Sequence, residues 1–78
     1  MAIISCTLIV DCNHTPESID RIILPIRKRG LKVSQLSYEE KPNNLAQCTM
    51  SFAIEEADLM RVYNNLIRQS DVLKVEKV

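Results

Sequence analysis

The sequence predicts one α+β domain of order β-α-β-β-α-β, and three observations predict it. Apolar residues recur at helical spacing in two stretches, Ile19–Ile26 and Leu59–Ile67. Four other stretches alternate, or run β-branched and apolar, as strands do. These six segments succeed one another through all 78 residues with no linker, internal repeat or low-complexity tract between them. One domain, residues 1–78, is therefore expected. A domain of ~60 residues buries only about 60% of its unfolded surface, so a core this thin favours association with a second chain.

Each element has a local reason. Ala2–Asp11 carries Ile4, Cys6, Leu8 and Val10 on one face and Ile3, Ser5, Thr7 and Ile9 on the other, which suits a central strand. Asp11-Cys12-Asn13-His14 reads as a loop. Thr15 is placed to cap a helix, with Pro16 at its first position and Glu17 facing the positive end of the dipole. Ile19, Ile22, Ile23 and Ile26 form the buried stripe of that helix. Arg27, Lys28 and Arg29 load its last turn, and Gly30 supplies the left-handed stop. Pro25 breaks the pattern, because a proline this deep removes a helical hydrogen bond.

Leu31–Glu40 reads as the second strand and Lys41-Pro42-Asn43-Asn44 as a turn. Leu45–Ile54 follows with Ala46, Cys48, Met50, Phe52 and Ile54 inward and Gln47, Thr49, Ser51 and Ala53 outward. Leu59, Val62, Tyr63, Leu66 and Ile67 mark a second helix over about Ala57–Gln69. Ser70-Asp71 ends it, and Val72–Val78 closes the sheet. The expected architecture is a ferredoxin-like βαββαβ fold: four antiparallel strands in spatial order 4-1-3-2, with both helices on one face.

Composition narrows the function. Ten basic and ten acidic residues give no net charge, so no global field draws nucleic acid or anionic lipid. The apolar runs fall far short of the ~20 residues of a membrane span. The amino terminus lacks the basic region and cleavage site of a signal peptide, which leads to the expectation of a cytoplasmic protein. Three cysteines cannot all pair within one chain, in keeping with a reducing compartment. Cys12 and His14 form a C-x-H that could join Cys48 around a metal. With a single histidine and no CxxC the buried-thiol reading is preferred, and no metal is expected.

Other occupants of the fold fail at their own sites. RNA-recognition domains stack bases on outward aromatics of the two central strands, and those positions here hold none. A copper-chaperone-like loop needs two thiols where this one offers Cys12 alone. An acylphosphatase-like cradle needs cations and glycine where this loop has neither.

Three segments resemble the ACT domain, a regulatory module. Pro16-Glu17-Ser18-Ile19-Asp20-Arg21-Ile22-Ile23 resembles its P-G-x-L-x-R-I helix opening. Arg29-Gly30-Leu31-Lys32-Val33-Ser34-Gln35-Leu36-Ser37 resembles its R-G-[IYF]-N-I-x-S-L-x segment. Asn65-Leu66-Ile67-Arg68-Gln69-Ser70-Asp71-Val72-Leu73-Lys74-Val75 is similar to the L-x-K-L-x-D-V-L-K-V ending of acetolactate synthase small subunits. The resemblance spans nearly the whole chain and matches the short, single-ACT type.

It implies a subunit with no catalytic residues that binds and activates the large catalytic subunit of acetolactate synthase, on the route to branched-chain amino acids. Thiamine diphosphate, Mg²⁺ and FAD would belong to that large subunit, and no cofactor is expected on this chain. It also implies a homodimer through second-strand edges. In valine-regulated relatives an effector lies between two ACT domains, at positions that fall here on His14, Glu17 and Lys32. All three depart from the family's Asn, Gly and Asn. Glu17 in particular sets a like charge against a ligand carboxylate, so valine insensitivity is expected. The alternative is a free-standing ACT sensor that binds a small metabolite without an enzyme partner.

Overall fold

The computed structural model describes residues 2–78. Along them run β1 (Ile3–Asn13), α1 (Ser18–Lys28), β2 (Val33–Lys41), β3 (Leu45–Glu55), α2 (Glu56–Ile67) and β4 (Val72–Lys77). The strands form one antiparallel sheet in the order β2-β3-β1-β4. Read from the other edge this is the expected 4-1-3-2.

Alternation decides which face is covered. Cys6, Leu8, Val10 and Cys12 of β1 and Ala46, Cys48, Met50, Phe52 and Ile54 of β3 are buried in one cluster. Ile22 and Ile26 of α1 and Leu59, Val62 and Leu66 of α2 complete it from above. Both helices therefore lie on one face of the sheet. The opposite face is mostly small and polar, with Thr7 Oγ1 and Ser51 Oγ hydrogen bonded across β1 and β3 at 2.9 Å.

The expected loop Asp11–His14 is shorter than the sequence suggested. Asp11, Cys12 and Asn13 continue β1, because each finds a partner on β3: Gln47, Ala46 and Leu45. The hairpin between β2 and β3 is tight enough to allow this. Asn43 and Asn44 take φ of 66° and 59°, a left-handed conformation that asparagine tolerates better than most residues.

The start of α1 also differs. Thr15 does not cap a helix beginning at Pro16. Glu17 occupies the N-cap position without a side-chain cap, and the helix begins at Ser18. Thr15 to Ser18 instead form a turn, with Ser18 N–H on the Thr15 carbonyl at 3.2 Å. The end of the helix is as expected. Gly30 has φ +66°. Its N–H donates to Arg27 O at 3.0 Å, and Leu31 N–H donates to Ile26 O at 3.3 Å, the paired bonds of a Schellman stop.

The two helical stripes are narrower than expected. Ser18, Ile22 and Ile26 are the buried residues of α1, with Ile19 and Ile23 half-buried at its flank. On α2, Ile67 is exposed. β2 is an edge strand whose residues are all exposed or half-buried.

Candidate functional site

The first loop and its neighbours form the most organised polar cluster of the molecule. Its centre is Ser18, the one buried polar residue among those described, at 1% exposure. The Ser18 hydroxyl donates to the Asn13 carbonyl at 2.6 Å. It accepts from the Thr15 amide at 2.9 Å and from the Thr15 hydroxyl at 2.8 Å. One hydroxyl thereby uses its single proton and both lone pairs to fold the chain from the end of β1 into α1.

His14 is the next link. Its amide donates to the Asn44 carbonyl at 2.7 Å, which ties the loop to the β2–β3 hairpin. Its Nδ1 lies 2.8 Å from the Tyr38 hydroxyl. Tyr38 stands on the edge strand beside Cys48, on the helix side of the sheet, and its ring lies tilted against the imidazole at 5.6 Å between centroids. Its hydroxyl also borders Ser18 and Cys12, and burial is the main cause that pushes the phenol pKa up. Tyr38 and Ser18 were not predicted as site residues. Leu36 and Tyr38, opposite Met50 and Cys48, carry the two-residue alternation that marks Tyr38 as inward. That signal is weak on an edge strand with so few apolar residues.

The three positions given by family resemblance do not meet within one chain. His14 is half-buried in the first loop. Glu17 is exposed at the N-cap of α1. Lys32 is exposed just before β2, in a separate cleft of about 420 Å³ that it lines with Ile3, Leu31, Ala53 and Asp58. The 11 residues of α1 separate Glu17 from Lys32, a rise of ~16 Å.

The thiols are structural. Cys12 and Cys48 are fully buried. Burial first, and then the charge of Cys12, pushes the Cys48 thiol up to about 11. Burial also raises Cys12, with Asp11 and Asp71 adding to the effect. Thiols held in this form are poor nucleophiles and poor metal ligands. Among the described residues no three His, Cys, Asp or Glu side chains stand close enough to share a metal ion. Nor is any described helix long and apolar enough to cross a membrane.

Neither protein-family models nor curated proteins match the sequence. Solved structures do match the fold. The ACT domain of GTP pyrophosphokinase from Chlorobium tepidum superposes with a TM-score of 0.83 at 13% identity, over 99% of this chain and 100% of that one. The acetolactate synthase small subunit from Thermotoga maritima gives 0.81 at 12% identity, over 95% of this chain and 47% of its own. A formyltetrahydrofolate deformylase from Pseudomonas putida gives 0.72 at 11% identity, over 96% of this chain and 28% of its own. At such identities the shared property is the path of the backbone. The chain has the ferredoxin-like βαββαβ fold of solved ACT domains.

Proposed function

We propose that this chain is an ACT-type regulatory subunit and that its partner is the catalytic large subunit of acetolactate synthase. The observation that carries this reading is the segment Asn65–Val75, which resembles the ending of acetolactate synthase small subunits and has a defined structural task. Within it, Asp71 forms an ion pair with Arg21 of α1, and its carbonyl accepts from the Asn13 amide at 2.8 Å. Gln69 reaches the Arg21 carbonyl. The segment therefore joins the end of α2 to both β1 and α1. The fold shared with the Thermotoga maritima small subunit supports the same reading.

A homodimer through β2 edges belongs to the proposal. If two copies of β2 pair antiparallel about Ser37, Lys32 of one copy falls opposite Pro42 of the other. That is the hairpin end, where Asn44 holds His14. A second copy would thus bring together the positions that one chain keeps apart. At that junction the His14 imidazole is engaged by Tyr38, and Glu17 brings a carboxylate. Both features oppose capture of an amino-acid carboxylate, so valine, leucine and isoleucine bind weakly or not at all.

Any effect on rate must come through unequal affinity for the conformations of the partner, since equal affinity shifts nothing. Reconstitution tests the proposal. Acetolactate formation by the large subunit of the same source is assayed with and without this chain, at matched thiamine diphosphate, Mg²⁺ and FAD. The expected result is a higher rate and comigration on a sizing column. No rise and no comigration would favour a free-standing sensor.

A further inference from the structure

Charge is not spread evenly over this molecule. The chain as a whole has none to spare, with ten basic residues against ten acidic. Between the two helices, however, lies a cleft of about 350 Å³ whose lining is positive. Arg21, Leu24, Pro25 and Lys28 of α1 form one wall. Asn65, Arg68 and Gln69, from the end of α2 and the turn after it, form the other. No carboxylate lines it. The cleft beside Lys32 is different, because Glu55 and Asp58 offset that cation.

Helical spacing builds the two walls. Residues 21, 24, 25 and 28 stand at i, i+3, i+4 and i+7, beside the buried stripe of Ser18, Ile22 and Ile26. Residues 65, 68 and 69 repeat the spacing beside Val62 and Leu66, with Arg68 at the C-cap. Two ties fix one end of the cleft. Gln69 donates to the Arg21 carbonyl, and the Arg21 guanidinium pairs with Asp71. The amino end of α1 thus meets the carboxyl end of α2, where the helix dipoles offset one another and side-chain charges set the field. One N–H of Arg21 goes to Asp71, and a guanidinium has four more. Lys28 and Arg68 are exposed, and neither forms an ion pair among the described residues. Between the charged ends, Leu24 is 46% exposed and Pro25 half-buried.

We propose that this cleft binds a small molecule carrying a chain of two or three phosphates, either free or attached to a nucleoside. The two guanidinium groups favour phosphate over carboxylate. A carboxylate fills one guanidinium fork, as Asp71 begins to do on Arg21, whereas a phosphate has oxygens enough for Arg21 and Arg68 together. Length favours a chain over a single phosphate. Lys28 lies two turns from Arg21, a rise of ~10.5 Å. Helical side chains lean toward the amino end, so the Lys28 ammonium extends back along the cleft toward Arg21. A phosphate chain spans that interval past the Asn65 carboxamide, while a single phosphate held by the arginines leaves Lys28 unused. The site depends on neither the β2 edge nor the partner enzyme.

Calorimetric titration of the whole chain at physiological ionic strength, without Mg²⁺, tests the site. The probes are ATP, inorganic triphosphate, orthophosphate and a triglutamate peptide. ATP and triphosphate are expected to bind with micromolar affinity, and orthophosphate about tenfold more weakly or worse, for want of the Lys28 contact. Tighter binding of ATP assigns a nucleotide resting on Leu24 and Pro25; equal binding assigns the phosphate chain alone, and both uphold the site. The double variant Lys28→Gln/Arg68→Gln is expected to lose about tenfold or more in affinity. Its melting midpoint should hold, because both side chains are exposed and unpaired. Lys41→Gln/Lys77→Gln removes the same charge elsewhere and should leave affinity unchanged. Amide shifts on binding should gather at Leu24, Lys28, Asn65 and Arg68. The proposal is overturned if neither triphosphate nor ATP reaches micromolar affinity, or if orthophosphate or the peptide matches them. Equal weakening by the two double variants, or shifts on another surface, would also overturn it.

Discussion

Ser18 carries more of this fold than its size suggests. It is small, polar and wholly buried, and its hydroxyl satisfies the Asn13 carbonyl and the Thr15 amide together. Ser18→Ala leaves both without a partner. A loss of about 1–3 kcal/mol in unfolding free energy is expected, read from the urea midpoint. Cys48 gives a second residue-scale prediction, in pH. Its folded pKa of about 11 lies above the ordinary 9.0, so folding favours the neutral thiol. The corresponding stability is fully present below about pH 9 and is lost as pH rises through about 11, because the unfolded chain releases its proton first. Cys48 is expected to contribute a fall of about 2–3 kcal/mol across that range, so the alkaline loss should be smaller, though not abolished, in Cys48→Ala, where burial still raises Cys6, Cys12 and Tyr38. Native Cys48 should also resist alkylation at pH 8 and react once the chain unfolds.

At the scale of elements, α1 shows how a rule broken in one place is answered in another. Pro25 has no N–H to give the Arg21 carbonyl. Gln69, from the turn after α2, donates its side-chain amide to that carbonyl at 2.6 Å. The proline gap thus becomes a tie between the two helices, beside the Arg21–Asp71 ion pair. Gln69→Ala is expected to cost about 1 kcal/mol in the natural chain. It should cost close to nothing in a Pro25→Ala background, where residue 25 can bond Arg21 itself. A double-mutant cycle with no coupling would refute this account. The stop of α1 is simpler. A Cβ at Gly30 meets no atom within 4 Å, and φ is +66°. Gly30→Val should therefore lower stability by about 1 kcal/mol or more through backbone strain alone, visible as a lower thermal midpoint.

For the whole molecule, the sheet has one long open edge. β2 offers nine residues for pairing with a second copy, and the thin core gives that association a motive. Sedimentation at high micromolar concentration should show a dimer. A monomer throughout would remove the β2 interface and with it any junction of Lys32 with His14. Calorimetric titration with valine should give no micromolar affinity; a clear micromolar isotherm would mean that Glu17 and the His14–Tyr38 contact do not obstruct the site.

The sequence by itself determined the order of the six elements, the inward residues of β1 and β3, and the stop at Gly30. Each of these is written locally, in an alternation of two, a spacing of three and four, or a single residue that tolerates positive φ. Sequence reasoning also marked the first loop as the place to look, through a resemblance at His14 and Glu17. Tertiary structure decided the rest, because it depends on partners far away in the chain. Asp11–Asn13 became strand only because β3 was long enough to pair with them. Thr15 was drawn into a turn because Ser18 turned inward to the end of β1. Tyr38 reached His14 across 24 residues, and Gln69 answered Pro25 across the two helices. Hydrogen-bond demand is set locally, by a missing N–H or an open carbonyl. Which group meets that demand is fixed only when the chain has folded back on itself.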